Sequence, residues 1–373
     1  MNAHPITRAR LVPDHIDELV PYKPGKTVEE VQRSRGLARV HKLASNENPL
    51  GPSPRALTAM RDALERLHMY PDSTGMKLRQ ALAEHYRVKP ENVVLGGGSE
   101  GIMATIVRTF LHGDDEVLTS EGTFIGFMVL AKAHGTVVKT VSLKSFAYDL
   151  EAMAAAVTPR TKLVYLANPN NPTGTIFTRA SFERFLDRLP PHVLVLLDEA
   201  YYEYVGERRY EYPDSQLYRA DNVLTLRTFS KAYGLAGIRI GYGLGHENLI
   251  APLQKVKLPF EAATLGLEGA IAALADEDFL RETIANNQLG LKRLESGLAT
   301  LGARHVPSEA NFVMIDLGTE AEVDRITEAL LDEGIVVRPL RGFGLPHCLR
   351  VSVGLPEQVD IFLEAFGRIW RPS

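Results

Sequence analysis

Short, almost wholly apolar runs alternate with amphipathic stretches from about residue 50 to residue 275. Most of the runs are rich in β-branched residues, which is typical of strands buried on both faces. Because the intervening stretches have helical periodicity, the alternation predicts an α/β fold with a mostly parallel central sheet flanked by helices. The runs that carry the strand prediction are NVVLG, DEVLTS, TVVKTVSL, TKLVYLAN, HVLVLLDE, NVLTLRT and RIGYGLG.

The helical stretches and the chain length predict two domains. A chain of 373 residues fits that number. We expect a large domain at 46–277 and a smaller C-terminal α/β domain at 278–373. Residues 1–45 are interrupted by prolines, which predicts an extended N-terminal arm that joins the smaller domain. Helices are expected at 100–111, 124–134, 150–157, 179–188 and 278–301.

Composition excludes several classes of function. The net charge is −4 and the basic residues are dispersed, which argues against binding to nucleic acid or to an anionic membrane. One cysteine, Cys348, precludes an intrachain disulfide and fits a reducing cytoplasm. The N-terminus has no apolar core of a signal peptide, and no apolar run approaches the ~20 residues that span a bilayer. We therefore expect a cytoplasmic protein.

Two patterns point to other chemistries. Gly96, Gly98 and Gly101 match the dinucleotide fingerprint, with Glu121 twenty residues further on. A short pattern in a glycine-rich stretch is weak evidence, but a glycine-rich turn before a helix offers amides to any phosphate. The sequence PGKT resembles the end of a P-loop, yet the loop needs a glycine where Val20 stands. The histidines are scattered, and no His/Cys cluster has the spacing of a metal site.

The stretch TFSKAYGLAGIRIGYG concentrates reactive groups directly after a predicted buried strand. Lys231 lies at the end of the strand where ligands bind in α/β sheets, and the small residues around it leave room for a flat ligand. Lysine amines serve catalysis chiefly as nucleophiles toward carbonyls, and pyridoxal 5′-phosphate (PLP) supplies a carbonyl together with a phosphate. Thr228 and Ser230 can donate hydroxyl hydrogen bonds to that phosphate, and Arg239 can form a charge-assisted pair with it.

A PLP ring makes further demands that other motifs meet. Its pyridine nitrogen works best when it is protonated, so a carboxylate should face it, and Asp198 ends the apolar strand of VLVLLDEAY. Tyr201 and Asn171, the latter in NPNNPTG, could reach the ring hydroxyl. Phe124 in GTFIGF is a candidate for stacking on the ring.

Four motifs in this order and at these separations resemble the fold-type I PLP aminotransferases of class I and II: NPNNPTG, LLDEAY, TFSKAYGLAGIRIGYG and CLRVSVG. The match covers nearly the whole chain. NENPLGP, YPD and SEANF extend the resemblance to the histidinol-phosphate aminotransferases. It implies PLP-dependent transamination between histidinol phosphate and the glutamate/2-oxoglutarate pair in histidine biosynthesis. An aromatic amino-acid aminotransferase and a threonine-phosphate decarboxylase-like lyase share the scaffold and stay open as alternatives.

The resemblance also implies roles for individual residues. Lys231 would carry the cofactor and move a proton, Asp198 would pair with the ring nitrogen, and Asn171 and Tyr201 would contact the ring hydroxyl. Phe124 stands where the family often has Tyr, so stacking is kept and a hydroxyl is lost. The phosphate would be held by Gly98, Ser99, Glu100, Thr228, Ser230 and Arg239.

Further residues are assigned to the partner subunit's site and to the substrate. Tyr70 in MYPD resembles the tyrosine that reaches the PLP phosphate of a neighbouring subunit, which implies a homodimer. Arg350 in CLRVS matches the arginine that holds the substrate carboxylate, and Arg338 and Tyr22 resemble further anion contacts. The phosphate turn GGGSEG has Ser99 where the family more often has Asp, a departure that bears on the substrate rather than on PLP.

Overall fold

The computed structural model describes residues 11–20, 25–218 and 222–371, without the side chains of residues 216 and 217. The helices are α1 Asp14–Asp17, α2 Val28–Arg35, α3 Pro54–Ala63, α4 Met76–Tyr86, α5 Gly98–Phe110, α6 Ile125–Ala133, α7 Leu150–Ala156, α8 Arg179–Leu186, α9 Glu247–Val256, α10 Thr264–Leu274, α11 Glu277–Thr300, α12 Glu320–Asp332 and α13 Pro356–Ile369. The strands are β1 His41–Lys42, β2 Val93–Gly96, β3 Glu116–Ser120, β4 Val137–Val141, β5 Thr161–Ala167, β6 Leu194–Asp198, β7 Val223–Thr228, β8 Gly241–Leu244, β9 Arg304–Val306, β10 Phe312–Asp316, β11 Ile335–Val336, β12 Arg338–Pro339 and β13 Cys348–Ser352.

The larger sheet has seven strands in the order β2-β8-β7-β6-β5-β3-β4. Each of the seven apolar runs supplies one of them, so this part of the strand prediction is confirmed. Strand β8 is antiparallel to both of its neighbours, β2 and β7, whereas β3 to β7 pair in parallel with one another. The sheet is therefore mostly parallel, as the alternating pattern predicts.

Alternate residues of the central strands enter two separate cores, which is why these strands are apolar throughout. Val164 and Leu166 pack with residues of α7 and α8 on one face, and Leu163 and Tyr165 pack with residues of α5, α6 and α9 on the other. Strand β4 is at the edge of the sheet and is partly exposed, so the prediction of burial on both faces is wrong there.

A second sheet of four antiparallel strands, in the order β12-β13-β10-β9, lies in the C-terminal part of the chain. Residues of α11, α12 and α13 pack on it in one apolar cluster that includes Leu294, Ile326 and Phe362. Strand β1 pairs in parallel with β11 in a separate two-stranded sheet, which links the N-terminal segment to the C-terminal part of the chain.

The prediction of a merely extended N-terminal arm is wrong for the described residues 25–45, because α2 forms there. The Thr27 side chain accepts a hydrogen bond from the Glu30 amide and caps the helix. Gly36 ends the helix in the left-handed conformation, with φ 67°. The T-x-x-E spacing that marks this start is present in the sequence.

The carboxyl ends of β5, β6 and β7 meet at one edge of the larger sheet because these strands are parallel neighbours. Asp198 is the last residue of β6 and Thr228 the last of β7, and Asn171 lies in the loop after β5. Side chains from three separate motifs are thus brought to the same edge. Among the described residues, we find no helix that combines the length and the apolar character needed to cross a membrane.

Candidate active site

A cavity of about 250 Å³ lies at this edge of the larger sheet and is also bounded by the smaller one. Most of the residues predicted from the motifs line it. These are Ser99, Glu100, Phe124, Asn171, Asp198, Tyr201, Thr228, Ser230, Lys231, Arg239, Arg338 and Arg350.

Asp198 presents a buried carboxylate to the cavity. Burial raises its pKa to about 6, and the negative charges of Glu100 and Glu199 act in the same direction. Two hydrogen bonds oppose that shift: the Tyr165 hydroxyl donates to Oδ2 at 2.8 Å, and the Ala200 amide donates to Oδ1 at 3.2 Å. A carboxylate held in this way favours a cationic partner in the cavity.

Lys231 and Tyr201 both line the cavity, and the lysine Nζ lies 5.7 Å from the centroid of the tyrosine ring. The Tyr201 hydroxyl accepts a hydrogen bond from Asn46 Nδ2 at 2.9 Å, so its own proton is available to a different acceptor. Asn46 is buried in the left-handed conformation, with φ 55°, and its Oδ1 accepts from the Ser352 hydroxyl at 2.8 Å. This buried amide fixes the orientation of the tyrosine hydroxyl.

Arg239 packs against the start of α5, where two positive groups meet. A Cβ on Gly98 would be 2.6 Å from Arg239 Nη2, so only glycine permits this approach, and Gly98 has φ 79°. The positive end of the helix dipole therefore lies beside a guanidinium. Glu100 approaches Arg239 at 3.3 Å, and the Gly97 amide donates to Glu261 at 2.9 Å. This end of the cavity attracts anions.

The hydroxyls after β7 belong to the same positive region. Arg239 Nη1 donates to the Ser230 hydroxyl at 3.4 Å, and the Ser230 amide donates to the Thr228 hydroxyl oxygen at 3.1 Å. Arg239 itself has φ 51°, a left-handed conformation that is uncommon for a residue with a side chain. This region thus offers hydrogen-bond donors suited to a phosphate: the Arg239 guanidinium, the two hydroxyls and the amides at the start of α5.

Arg350 and Arg338 form a second positive region on the smaller sheet. They are paired across β12 and β13, so both side chains are on the cavity side. Arg350 is buried and donates through Nη1 to Asn171 Oδ1 and through Nη2 to the Ala44 carbonyl oxygen at 2.9 Å. The cavity therefore has two cationic regions, and the carboxylates of Asp198 and Glu100 also line it.

Some predicted residues lie elsewhere, and some lining residues were not predicted. Tyr70 is outside this cavity, 83% exposed and stacked on Phe260 with ring centroids 4.6 Å apart. Tyr22 lies outside the described residues. Eight further residues line the cavity without a role predicted from the motifs: Gly25, Ala44, Ser45, Asn46, Ala167, Pro169, Ala200 and Phe343. Asn46 is the one of them that belongs to NENPLGP.

Asp316, His347 and Cys348 place a carboxylate oxygen, a ring nitrogen and a thiol within 4.8 Å of one another on the smaller sheet. Asp316 Oδ2 is already 3.3 Å from Arg304, and burial raises the pKa of the Cys348 thiol to about 12. A bound ion would have to displace the guanidinium and ionise the thiol, so we assign no metal to this cluster.

The family model for aminotransferase class I and II matches residues 38–366. The chain belongs to the class I and II aminotransferases. A histidinol-phosphate aminotransferase from Anaeromyxobacter sp. (strain Fw109-5) is 44% identical to this aminotransferase over 96% of the chain and 99% of the relative. Histidinol-phosphate aminotransferase 2 of Pseudomonas aeruginosa is also 44% identical, over 95% of the chain and 96% of the relative.

Solved structures agree with this assignment. The histidinol-phosphate aminotransferase of Sinorhizobium meliloti, crystallised in complex with PLP, superposes on this aminotransferase with a TM-score of 0.87 at 32% identity, covering 98% of each chain. An aspartate aminotransferase variant from Thermus thermophilus has a TM-score of 0.84 at 24% identity and covers 96% of this chain and 99% of its own, which shows the fold alone. The predicted fold class, family resemblance and aminotransferase activity are confirmed.

The raised pKa of Asp198 predicts that its negative charge lowers the free energy of unfolding of the ligand-free protein, and that this effect depends on pH. The folded-state pKa of about 6 lies above the unfolded value of 3.8, so the folded state loses stability as pH rises through 6. Asp198→Asn should therefore unfold at a higher temperature than the wild type at pH 8. Its free energy of unfolding should be higher by up to about 3 kcal/mol. The gain should shrink toward pH 5.

Thermal melting of both cofactor-free proteins across this pH range measures the difference. Glu247→Gln is the control, because that carboxylate on α9 is half exposed and is not among the charges that raise the pKa of Asp198, so its substitution should shift stability little. A gain from Asp198→Asn that is equal at pH 5 and pH 8 would contradict a raised pKa at this position.

Proposed function

We propose that the protein is a PLP-dependent aminotransferase that acts on histidinol phosphate and the glutamate/2-oxoglutarate pair in histidine biosynthesis. The observation that carries the cofactor assignment is the packing of Arg239 on the start of α5, in one cavity with Lys231 and Asp198. These groups suit the phosphate, the aldehyde and the pyridine nitrogen of PLP respectively.

The residues present fit PLP in detail. Gly98 has no side chain where a Cβ would displace Arg239, so the phosphate end is built for a close cationic contact. Gly126 likewise leaves room for the Phe124 ring, because a Cβ added at position 126 would lie 2.6 Å from that ring. Phe124 thus has a defined place from which its ring can stack on a flat ligand at the cavity.

When bound, PLP supplies an aldehyde for an amine and an electron sink for the bonds at the substrate's Cα. Lys231 would hold the cofactor through its amine and would move a proton at the substrate's Cα. Asp198 would pair with the ring nitrogen, and Tyr201 and Asn171 would contact the ring hydroxyl. The phosphate would be held by the hydroxyls of Thr228 and Ser230, by Arg239 and by the amides of residues 98–100.

The relatives' names and the second positive region support the substrate assignment. Histidinol phosphate has a phosphate ester where an α-amino acid has its carboxylate. Arg350, assisted by Arg338, can pair with either group, so one site can serve both half-reactions. Tyr22 is proposed as a further anion contact. An aromatic aminotransferase or a threonine-phosphate decarboxylase-like lyase would use the same cofactor residues. The donor tests below separate the aromatic alternative from the proposed activity.

We further propose a cytoplasmic homodimer with a large domain at 46–277 and a small domain at 278–373, joined by the N-terminal arm. The exposed Tyr70 supports the dimer, because its side chain lies outside its own subunit's cavity. The tyrosine would then reach the PLP phosphate of the partner subunit. The single, buried cysteine suits a reducing compartment.

Arg350→Ala should damage both half-reactions together if one anion site serves both substrates. Loss of a charge-assisted contact in a desolvated site costs roughly 2–5 kcal/mol, or about a 30- to 5000-fold fall in kcat/KM. Arg350→Lys should restore only part of it, because the bidentate fork is lost. Single-turnover kinetics with histidinol phosphate and with glutamate measure each half-reaction.

Arg368→Ala, on the exposed face of α13, is the matched control and should leave both rates near wild type. If Arg350→Ala harms glutamate alone, the phosphate ester binds elsewhere. If the wild type ignores histidinol phosphate but turns over phenylalanine or tyrosine, the substrate assignment is wrong and the cofactor assignment stands.

A mixed dimer of Tyr70→Phe with Lys231→Ala should test the shared site. If Tyr70 serves the partner subunit, one site of this dimer carries both changes and the other carries neither. About half of the wild-type specific activity should then remain. If Tyr70 serves its own subunit, activity should not exceed half that of the Tyr70→Phe dimer. Two affinity tags allow the mixed dimer to be isolated and assayed against both parents.

A further inference from the structure

Tyr165 directly contacts Asp198 from the neighbouring strand. It lies in β5 two residues before Ala167, which is the register partner of Asp198 in β6. Side chains two residues apart share a face of a strand, so Tyr165 is diagonal to Asp198 on the same face. Its hydroxyl donates to Asp198 Oδ2 at 2.8 Å.

The tyrosine is held rigidly in that position. It is fully buried, and its ring stacks on Phe127 with centroids 4.5 Å apart and planes 13° apart. The hydroxyl of Thr119 donates to the Tyr165 carbonyl oxygen at 2.9 Å. Burial also raises the pKa of Tyr165 well above its ordinary value, so the hydroxyl keeps its proton and remains a donor.

The other charged and polar groups that the structure describes around Asp198 do not donate a side-chain hydrogen bond to its carboxylate. Glu100 on α5 and Glu199, next in the chain, are acidic and raise the pKa of Asp198, and Lys231 lines the same cavity. The Asp198 charge also raises the pKa of Tyr148, but the Tyr148 hydroxyl accepts a hydrogen bond from the Ala167 amide and shares another with the Thr123 hydroxyl. Among the described side chains, Tyr165 is the one that donates a hydrogen bond to the carboxylate.

We propose that Tyr165 is a positioning residue for transamination: its hydroxyl fixes Oδ2 of Asp198, directs the other oxygen to the ring nitrogen of PLP, and keeps the shared proton on that nitrogen. The inference rests on the proposed function. The physical reason is that a hydrogen bond to the charged carboxylate makes it a weaker base. Without the hydroxyl, Asp198 binds the shared proton more strongly and the ring nitrogen holds less of it.

Ring-nitrogen NMR tests this directly. Apoenzyme is reconstituted with PLP carrying ¹⁵N in the ring, and the chemical shift is recorded near neutral pH for the wild type, Tyr165→Phe and Tyr148→Phe. Tyr165→Phe should move the signal from the protonated toward the unprotonated pyridine value. In the same variant kcat/KM should fall about 10- to 100-fold, the effect of losing a hydrogen bond to a charged group.

Tyr148→Phe is the matched control, because it removes a partly buried tyrosine hydroxyl from the same neighbourhood that has no hydrogen bond to Asp198. Its signal should stay at the wild-type position, even if its melting temperature falls. A Tyr165→Phe signal that coincides with the wild type, or an equal displacement in both variants, would overturn the inference while PLP binding and the proposed function stand. A wild type that binds no PLP would overturn the proposed function, and this inference with it.

Discussion

The buried carboxylate of Asp198 is the group around which the rest of the site is arranged. Two hydrogen bonds, from Tyr165 and the Ala200 amide, do not cancel the effect of its burial, and its pKa stays raised to about 6. A cation in the cavity would stabilise this charge. The chain supplies guanidinium groups at two other places, Arg239 beside α5 and Arg350 on β13. This arrangement complements a ligand with a cationic ring and an anionic group, plus a second anion.

A buried ion pair adjoins this arrangement. Glu199 follows Asp198, Arg227 precedes Thr228, and Glu199 Oε2 lies 2.9 Å from Arg227 Nε and 2.8 Å from Nη2. Both side chains are almost fully buried. Removing one partner of such a pair destabilises a protein by about 3–5 kcal/mol. The pair therefore links the ends of β6 and β7. Two cavity residues on neighbouring strands are thereby held at a fixed separation.

The sequence predicted local elements and missed contacts between distant ones. All seven strands of the larger sheet lie in the predicted runs, and in the six strands other than β4 burial on both faces explains the apolar character. The edge exposure of β4 could not be foreseen, since strand order depends on the whole sheet. The roles of Asn46 and Tyr165 were also missed. Asn46 acts through Tyr201 and Tyr165 through Asp198, each far away in the chain, and no spacing rule encodes such a pair.

We propose that Lys231 is the amine that holds PLP, and borohydride reduction followed by peptide mapping tests this role most directly. The purified enzyme should be yellow, and reduction should bleach it and leave the cofactor on Lys231. Trypsin should then release residues 228–239 as one peptide, uncut at the modified lysine. Lys231→Ala should yield no such adduct. A colourless wild-type enzyme, or a reduced cofactor found on another lysine, would contradict the account.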